Sequence, residues 1–136
     1  MTDQKFKVCY IGIRPTAKLE DTFEELEKVG ATMELLPFLD DEDEIIAQTK
    51  GADALIVVEA PITRKVLTAL GKDQCKAVLR TGVGFDCIDV DAATDNGIAV
   101  INIPDMWTRE VANHAMTLLL TSNRMLVNQH TEVRNQ

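Results

Sequence analysis

Arg80-Thr81-Gly82-Val83-Gly84-Phe85-Asp86-Cys87-Ile88-Asp89 is the stretch on which the fold turns. It follows Ala77-Val78-Leu79, an apolar run of the kind that forms a strand buried on both faces. It precedes Asp91 to Asn96, which reads as a short helix. The glycine pair therefore lies on a strand-to-helix turn. In an open α/β sheet such turns line the crevice at the carboxyl ends of the strands, where ligands bind. Two glycines one residue apart let backbone N–H groups converge on a carboxylate or phosphate with no Cβ in the way. A tight turn that binds nothing is the other reading, and the glycines alone do not separate the two. A G-x-G-x-x-G dinucleotide fingerprint has its third glycine where this chain has Cys87, and no P-loop lysine with serine or threonine follows. Gly82 and Gly84 are accordingly not read as a pyrophosphate cradle.

Upstream, strand and helix patterns alternate. Val8-Cys9-Tyr10-Ile11 is a buried-strand pattern ended by Gly12 and Pro15. Leu19, Phe23, Leu26 and Val29 follow at helical spacing, with Glu24 and Lys28 placed to pair along the exposed side. Thr32 to Leu36 reads as the second strand. Asp40 to Glu44 is an unbroken acidic run. Carboxylates in a row suit a divalent metal, and they equally suit a helix N-terminus, where the dipole favours them. Ile45 and Ile46 follow at once and favour the helix. Ala54 to Val58 is the third strand, and Thr63 is placed to cap a helix carrying Val66, Leu67 and Leu70. Asp89 or Val90 begins the short helix, and Ile98 to Ile101 is the fifth strand. Among the seven glycines, Gly30, Gly51, Gly71 and Gly97 read as helix stops and Gly12 as a strand end. Only Gly82 and Gly84 are left without a capping role. Five strand-helix units predict an α/β fold, a flavodoxin-like doubly wound parallel sheet of about five strands.

Composition narrows the function classes. The chain has 136 residues, a formal charge of −8 and 46% hydrophobic residues. A globular domain of this size buries enough surface to stand without staples. Its negative field opposes nucleic acid and anionic membrane surfaces, so neither is expected as a partner. Cys9, Cys75 and Cys87 are an odd count with no C-x-x-C, which argues against disulfides and zinc. No metal site is expected, and Cys9 is expected in the core. Met1 to Lys7 is polar and charged, and no apolar run approaches the length of a membrane helix. The expected location is cytoplasmic and reducing.

The last part changes character. Asn102-Ile103-Pro104-Asp105-Met106-Trp107 reads as a crossing segment, and Thr108 as the cap of a helix running to about Arg124. Val111, Ala112, Ala115, Met116, Leu118, Leu119 and Leu120 make that helix apolar nearly all round. A helix of this kind needs partners on more than one side, from a second domain or a second subunit. Asn128 to Gln136 reads as a polar tail.

Arg80 to Asp89, Asp91-Ala92-Ala93, Gly97-Ile98-Ala99-Val100, Asn102-Ile103-Pro104 and Glu110-Val111-Ala112-Asn113-His114-Ala115 together resemble the D-isomer-specific 2-hydroxyacid dehydrogenases. The wording is closest to the C-terminal-binding-protein and phosphoglycerate-dehydrogenase-like branch. The resemblance implies a substrate-binding domain over residues 1–101. It implies that residues 102–136 are a hinge and the first helix of an NAD-binding domain otherwise absent from this chain. It implies that the main chain of Gly82, Val83 and Gly84 holds the carboxylate of a small 2-hydroxy or 2-oxo acid, with Val83 also near the nicotinamide. NAD is the implied cofactor, with NADP left open. Arg80 matches an arginine used on substrate, or is a strand-end arginine in a salt bridge. Trp107 shapes the substrate pocket or fills the hinge. Where phosphoglycerate-type members carry an arginine after the third strand, this chain has Val58-Glu59, and a glutamate repels a phosphate. The Thr108–Arg124 helix is implied to form a homodimer, with His114 packed or facing the dimer.

The family's catalytic arginine, glutamate and histidine, and its G-x-G-x-x-G, fall beyond residue 136. No catalytic residue is therefore assigned here, and the isolated chain is expected not to turn over. The alternative is a binding or regulatory module of co-repressor type. A phosphoacceptor receiver or a flavodoxin is disfavoured. Gly12-Ile13-Arg14 and Val58-Glu59 supply neither the receiver's acids nor a hydroxyl-rich phosphate loop.

Overall fold

The apolar runs form five parallel strands. They are β1 (Phe6–Ile11), β2 (Ala31–Leu36), β3 (Ala54–Val57), β4 (Ala77–Arg80) and β5 (Ala99–Ile101). The structure, a computed structural model, describes residues 6–12 and 19–135. The expected strand end at Pro15 lies outside the described residues. The sheet order is β2-β1-β3-β4-β5 with every pairing parallel, the flavodoxin-like doubly wound order. The helices between strands are α1 (Glu20–Lys28), α2 (Glu42–Gln48), α3 (Arg64–Asp73) and α4 (Val90–Asp95). The chain divides into two compact units, Met1–Pro104 and Asp105–Gln136.

In the first unit Cys9, Ile11, Leu55, Val57 and Val78 from the sheet meet Val66, Leu67 and Leu70 of α3, and all are buried. Cys9 is fully enclosed, as its apolar neighbours predict. The acidic run has local uses: the Asp41 carboxylate accepts from Glu44 N at 2.9 Å and caps α2, while Asp43 pairs with Lys65 at 2.8 Å.

Three expectations about the first unit are corrected. Lys28 pairs with Glu25 at 2.6 Å rather than with Glu24, because the i,i+3 neighbour is the nearer reach at the helix end. Thr63 holds the N-cap position of α3, but its hydroxyl donates to the Glu42 carboxylate instead of capping. Gly71 is no helix stop. It lies inside α3, where an added Cβ would stand 2.8 Å from the Asn96 Cβ, so the glycine permits α3 and α4 to approach. Gly30, Gly51 and Gly97 do take the left-handed conformation expected after helices.

The second unit holds α5 (Thr108–Asn123) and α6 (Leu126–Arg134). Thr108 is the first residue of α5 rather than its cap. Trp107 holds the cap position with no side-chain bond. The segment read as a polar tail is largely α6, entered through Met125 at φ 47°. Neither helix buries a residue. No described helix is long and apolar enough to cross a membrane.

Candidate functional site

The loop after β4 is tied down at three places. At its root, Thr81 donates to the Val57 carbonyl from its backbone N at 2.9 Å and from its hydroxyl at 3.3 Å. At its middle, Ile103 N donates to the Gly82 carbonyl at 2.9 Å, and Asn102 Nδ2 donates to the Val83 carbonyl at 2.7 Å. At its far end, Ile62 N donates to the Cys87 carbonyl at 2.7 Å and Asp89 N to the Ile62 carbonyl at 3.0 Å. The Asp89 carboxylate then caps α4 by accepting from Ala92 N at 2.8 Å.

These bonds orient the peptide planes. No described peptide bond is cis. In a trans peptide the carbonyl of one residue and the N–H of the next point to opposite sides. The Gly82 and Val83 carbonyls are both held by the 102–103 segment, so the N–H groups of Val83 and Gly84 are turned away from it. Neither N–H donates to any described residue. Gly82 behaves differently from expectation. Its N–H donates to the Arg80 carbonyl at 2.8 Å, so two amides rather than three are presented.

Gly82 has another use. An added Cβ there would lie 1.6 Å from Arg80 Nη1. The guanidinium thus folds back over the glycine, and Arg80 Nε donates to the Val58 carbonyl at 3.2 Å. Arg80 forms no ion pair among the described residues, so the salt-bridge reading does not apply. Beside it lies a cavity of about 290 Å³ lined by Val58, Glu59, Arg80, Gly84, Asp86 and Cys87. Burial pushes the Cys87 thiol up, with Arg80 pulling weakly the other way, so the thiol stays neutral.

Arg80, Gly82, Val83 and Gly84 therefore come together, with Val83 exposed. Trp107 belongs to the second unit. There it lines an apolar groove along α5 with Glu110, Val111, His114, Ala115 and Leu118. Asn102, which the sequence places in a crossing segment and in the family resemblance but not among the site residues, holds the loop. Its place two residues before Pro104 was the available signal, but no spacing rule links it to a turn 19 residues earlier.

Known proteins match this arrangement. The family described as "D-isomer specific 2-hydroxyacid dehydrogenase, catalytic domain" matches residues 15–134. The D-3-phosphoglycerate dehydrogenase of Mycobacterium bovis is 42% identical over 87 residues, 63% of this chain and 16% of that protein. That of Methanocaldococcus jannaschii is 41% identical over 106 residues, 77% of this chain and 20% of that protein. This chain thus spans a fifth or less of those relatives' length. The NAD+-bound 3-phosphoglycerate dehydrogenase of Entamoeba histolytica superposes with a TM-score of 0.73 at 27% identity. That match covers 87% of this chain and 39% of that one. The chain belongs to the D-isomer specific 2-hydroxyacid dehydrogenase family.

Proposed function

We propose that this chain is the substrate-binding portion of an NAD-dependent oxidoreductase acting on the CH–OH group of a D-2-hydroxy acid, reversibly to the 2-oxo acid. The observation that carries this reading is the pair of amides, Val83 and Gly84, that donate to no described residue and are held outward by Asn102 and Ile103 beside the Arg80 guanidinium. Two N–H donors and a fixed cation suit a carboxylate, and charge-assisted bonds of this type are the strong ones. Residues 1–101 are the substrate-binding domain in this reading. Residues 102–136, Trp107 among them, are the hinge and first helix of the cofactor domain.

NAD supplies hydride exchange with the substrate carbon when bound. Of the residues here, exposed Val83 fits the nicotinamide end. The pyrophosphate does not fit the same loop, which has Cys87 where a G-x-G-x-x-G turn has its third glycine. The two histidines, His114 and His130, lie on α5 and α6, away from the loop in sequence and outside the lining of its cavity. No turnover is therefore expected when the purified chain is mixed with NADH and a panel of 2-oxo acids.

The direct test is a nitrogen-15 amide titration with D-lactate. The Val83 and Gly84 signals should shift and saturate. Asn102→Ala should weaken binding about tenfold, the effect of losing roughly one hydrogen bond's support. Shifts that map elsewhere, or none at all, would refute the loop reading.

The proposed partner is a second copy of this chain, paired along α5. Val111, Leu118 and Leu119 are exposed there, beside the groove of about 390 Å³ that Trp107 opens. Sedimentation should show a dimer that Leu118→Glu converts to monomer.

A further inference from the structure

Besides the amides, the loop offers a cavity whose charges do not balance. Among the described residues that line it, Arg80 is the one cation and Glu59 and Asp86 are two anions. Glu59 and Asp86 have no cationic partner within ion-pair distance among the described residues. Arg80 cannot serve them freely. Its Nε is held by the Val58 carbonyl and its Nη1 is folded over Gly82, toward the turn whose next two amides are free. The guanidinium is thus committed to the turn, and the two acids line the same cavity without a cation of their own among the described residues.

Resting on the reading above, we propose that Glu59 and Asp86 make this site select 2-hydroxy or 2-oxo acids whose far end carries an ammonium or guanidinium group, against those ending in phosphate or carboxylate. A cationic far end replaces repulsion with attraction on two carboxylates. A second anion would meet both of them after the first has already engaged Arg80. Cys87 contributes a neutral thiol and Val58 an apolar wall, so nothing else in the described lining offsets the imbalance. The curated relatives carry names that include phosphoglycerate. The charge around this cavity points to a different far end within the same carboxylate-binding arrangement.

Three D-2-hydroxy acids of equal chain length test this: 6-amino-2-hydroxyhexanoate, 2-hydroxyhexanoate and 2-hydroxyadipate. Each is titrated into the full chain at low salt while the Val83 and Gly84 amides are followed. Affinity should fall in that order, by about tenfold from first to last, as expected for one to two charge contacts near a protein surface. The spread should narrow at high salt, because both acids are exposed. In Glu59→Gln/Asp86→Asn it should collapse to within about twofold. Equal binding of all three, or tighter binding of the adipate, would overturn the selectivity and leave the carboxylate reading standing. If none of the three moves the Val83 or Gly84 amides, the carboxylate reading falls, and the selectivity with it.

Discussion

The two units use the same apolar residue types to opposite ends. In Met1–Pro104, Ile11, Leu55, Leu67 and Val78 are wholly enclosed between sheet and helix. In Asp105–Gln136, Leu118, Leu119 and Leu120 remain more than half exposed. The difference is one of pattern rather than of hydrophobicity. A strand in a doubly wound sheet meets helices on both faces, so a continuous apolar run is satisfied within the unit. Three successive leucines on a helix point in three directions about 100° apart, and no single neighbouring surface covers them. Apolar content reports burial within a unit only when its period matches the neighbours the unit supplies.

The comparison breaks most severely in the core. Leu55→Ala, at a fully buried position in a central strand, should cost about 2–5 kcal/mol in chemical unfolding. Leu119→Ala, measured where the chain is monomeric, should change the same curve by less than about 0.5 kcal/mol. Equal losses would mean that α5 contributes to the folded unit as the core does. The helix contact opened by Gly71 comes next. Gly71→Ala forces a Cβ to within 2.8 Å of the Asn96 Cβ and should cost about 1–3 kcal/mol, partly recovered by Asn96→Gly. Full stability of Gly71→Ala alone would show that α3 and α4 separate at little cost.

Caps give a smaller effect. Asp89→Ala removes the bond to Ala92 N and should cost about 0.5–2 kcal/mol, whereas α5, whose cap position makes no side-chain bond, has no such bond to lose. The smallest effect is alkaline. Burial raises the Cys9 and Cys75 thiols above their ordinary value, while the unfolded chain keeps it. The unfolded state therefore releases those protons first. Stability is fully present below the ordinary thiol range and declines as pH rises through it. Cys75→Ala should flatten the decline in urea midpoint between neutral and alkaline pH, and an unchanged slope would remove the thiols as its cause.

Much of this was legible beforehand because parallel strands announce themselves. Val8 to Ile11 and Ala54 to Val57 are apolar without interruption, and the strand-helix alternation leaves few topologies. Arg80, Gly82, Val83 and Gly84 were legible as a group because glycines without a cap to fill stand out. What was hidden depended on distant neighbours. Gly71 looks like a helix stop until Asn96 is seen against it. Gly82 looks like room for a ligand until the Arg80 side chain is found lying across it. Asn128 to Arg134 is polar enough to pass for a tail, yet it continues a helix that starts at Leu126. The place of Asn102 before Pro104 marks it without naming its partner, a carbonyl 19 residues earlier in the chain.

That last bond also sets an order of events. β5 is a three-residue edge strand, paired on one side only, and the residues that follow it hold the Gly82 and Val83 carbonyls. Edge elements open with less free energy than central ones. Fraying at Ile101 should therefore release the amides of Val83 and Gly84 from their orientation while the other four strands stay folded. During synthesis the same dependence delays the loop, which stays unheld until residue 103 has left the ribosome. Amide exchange at Val83 and Gly84 should then keep pace with β5 and outrun β3.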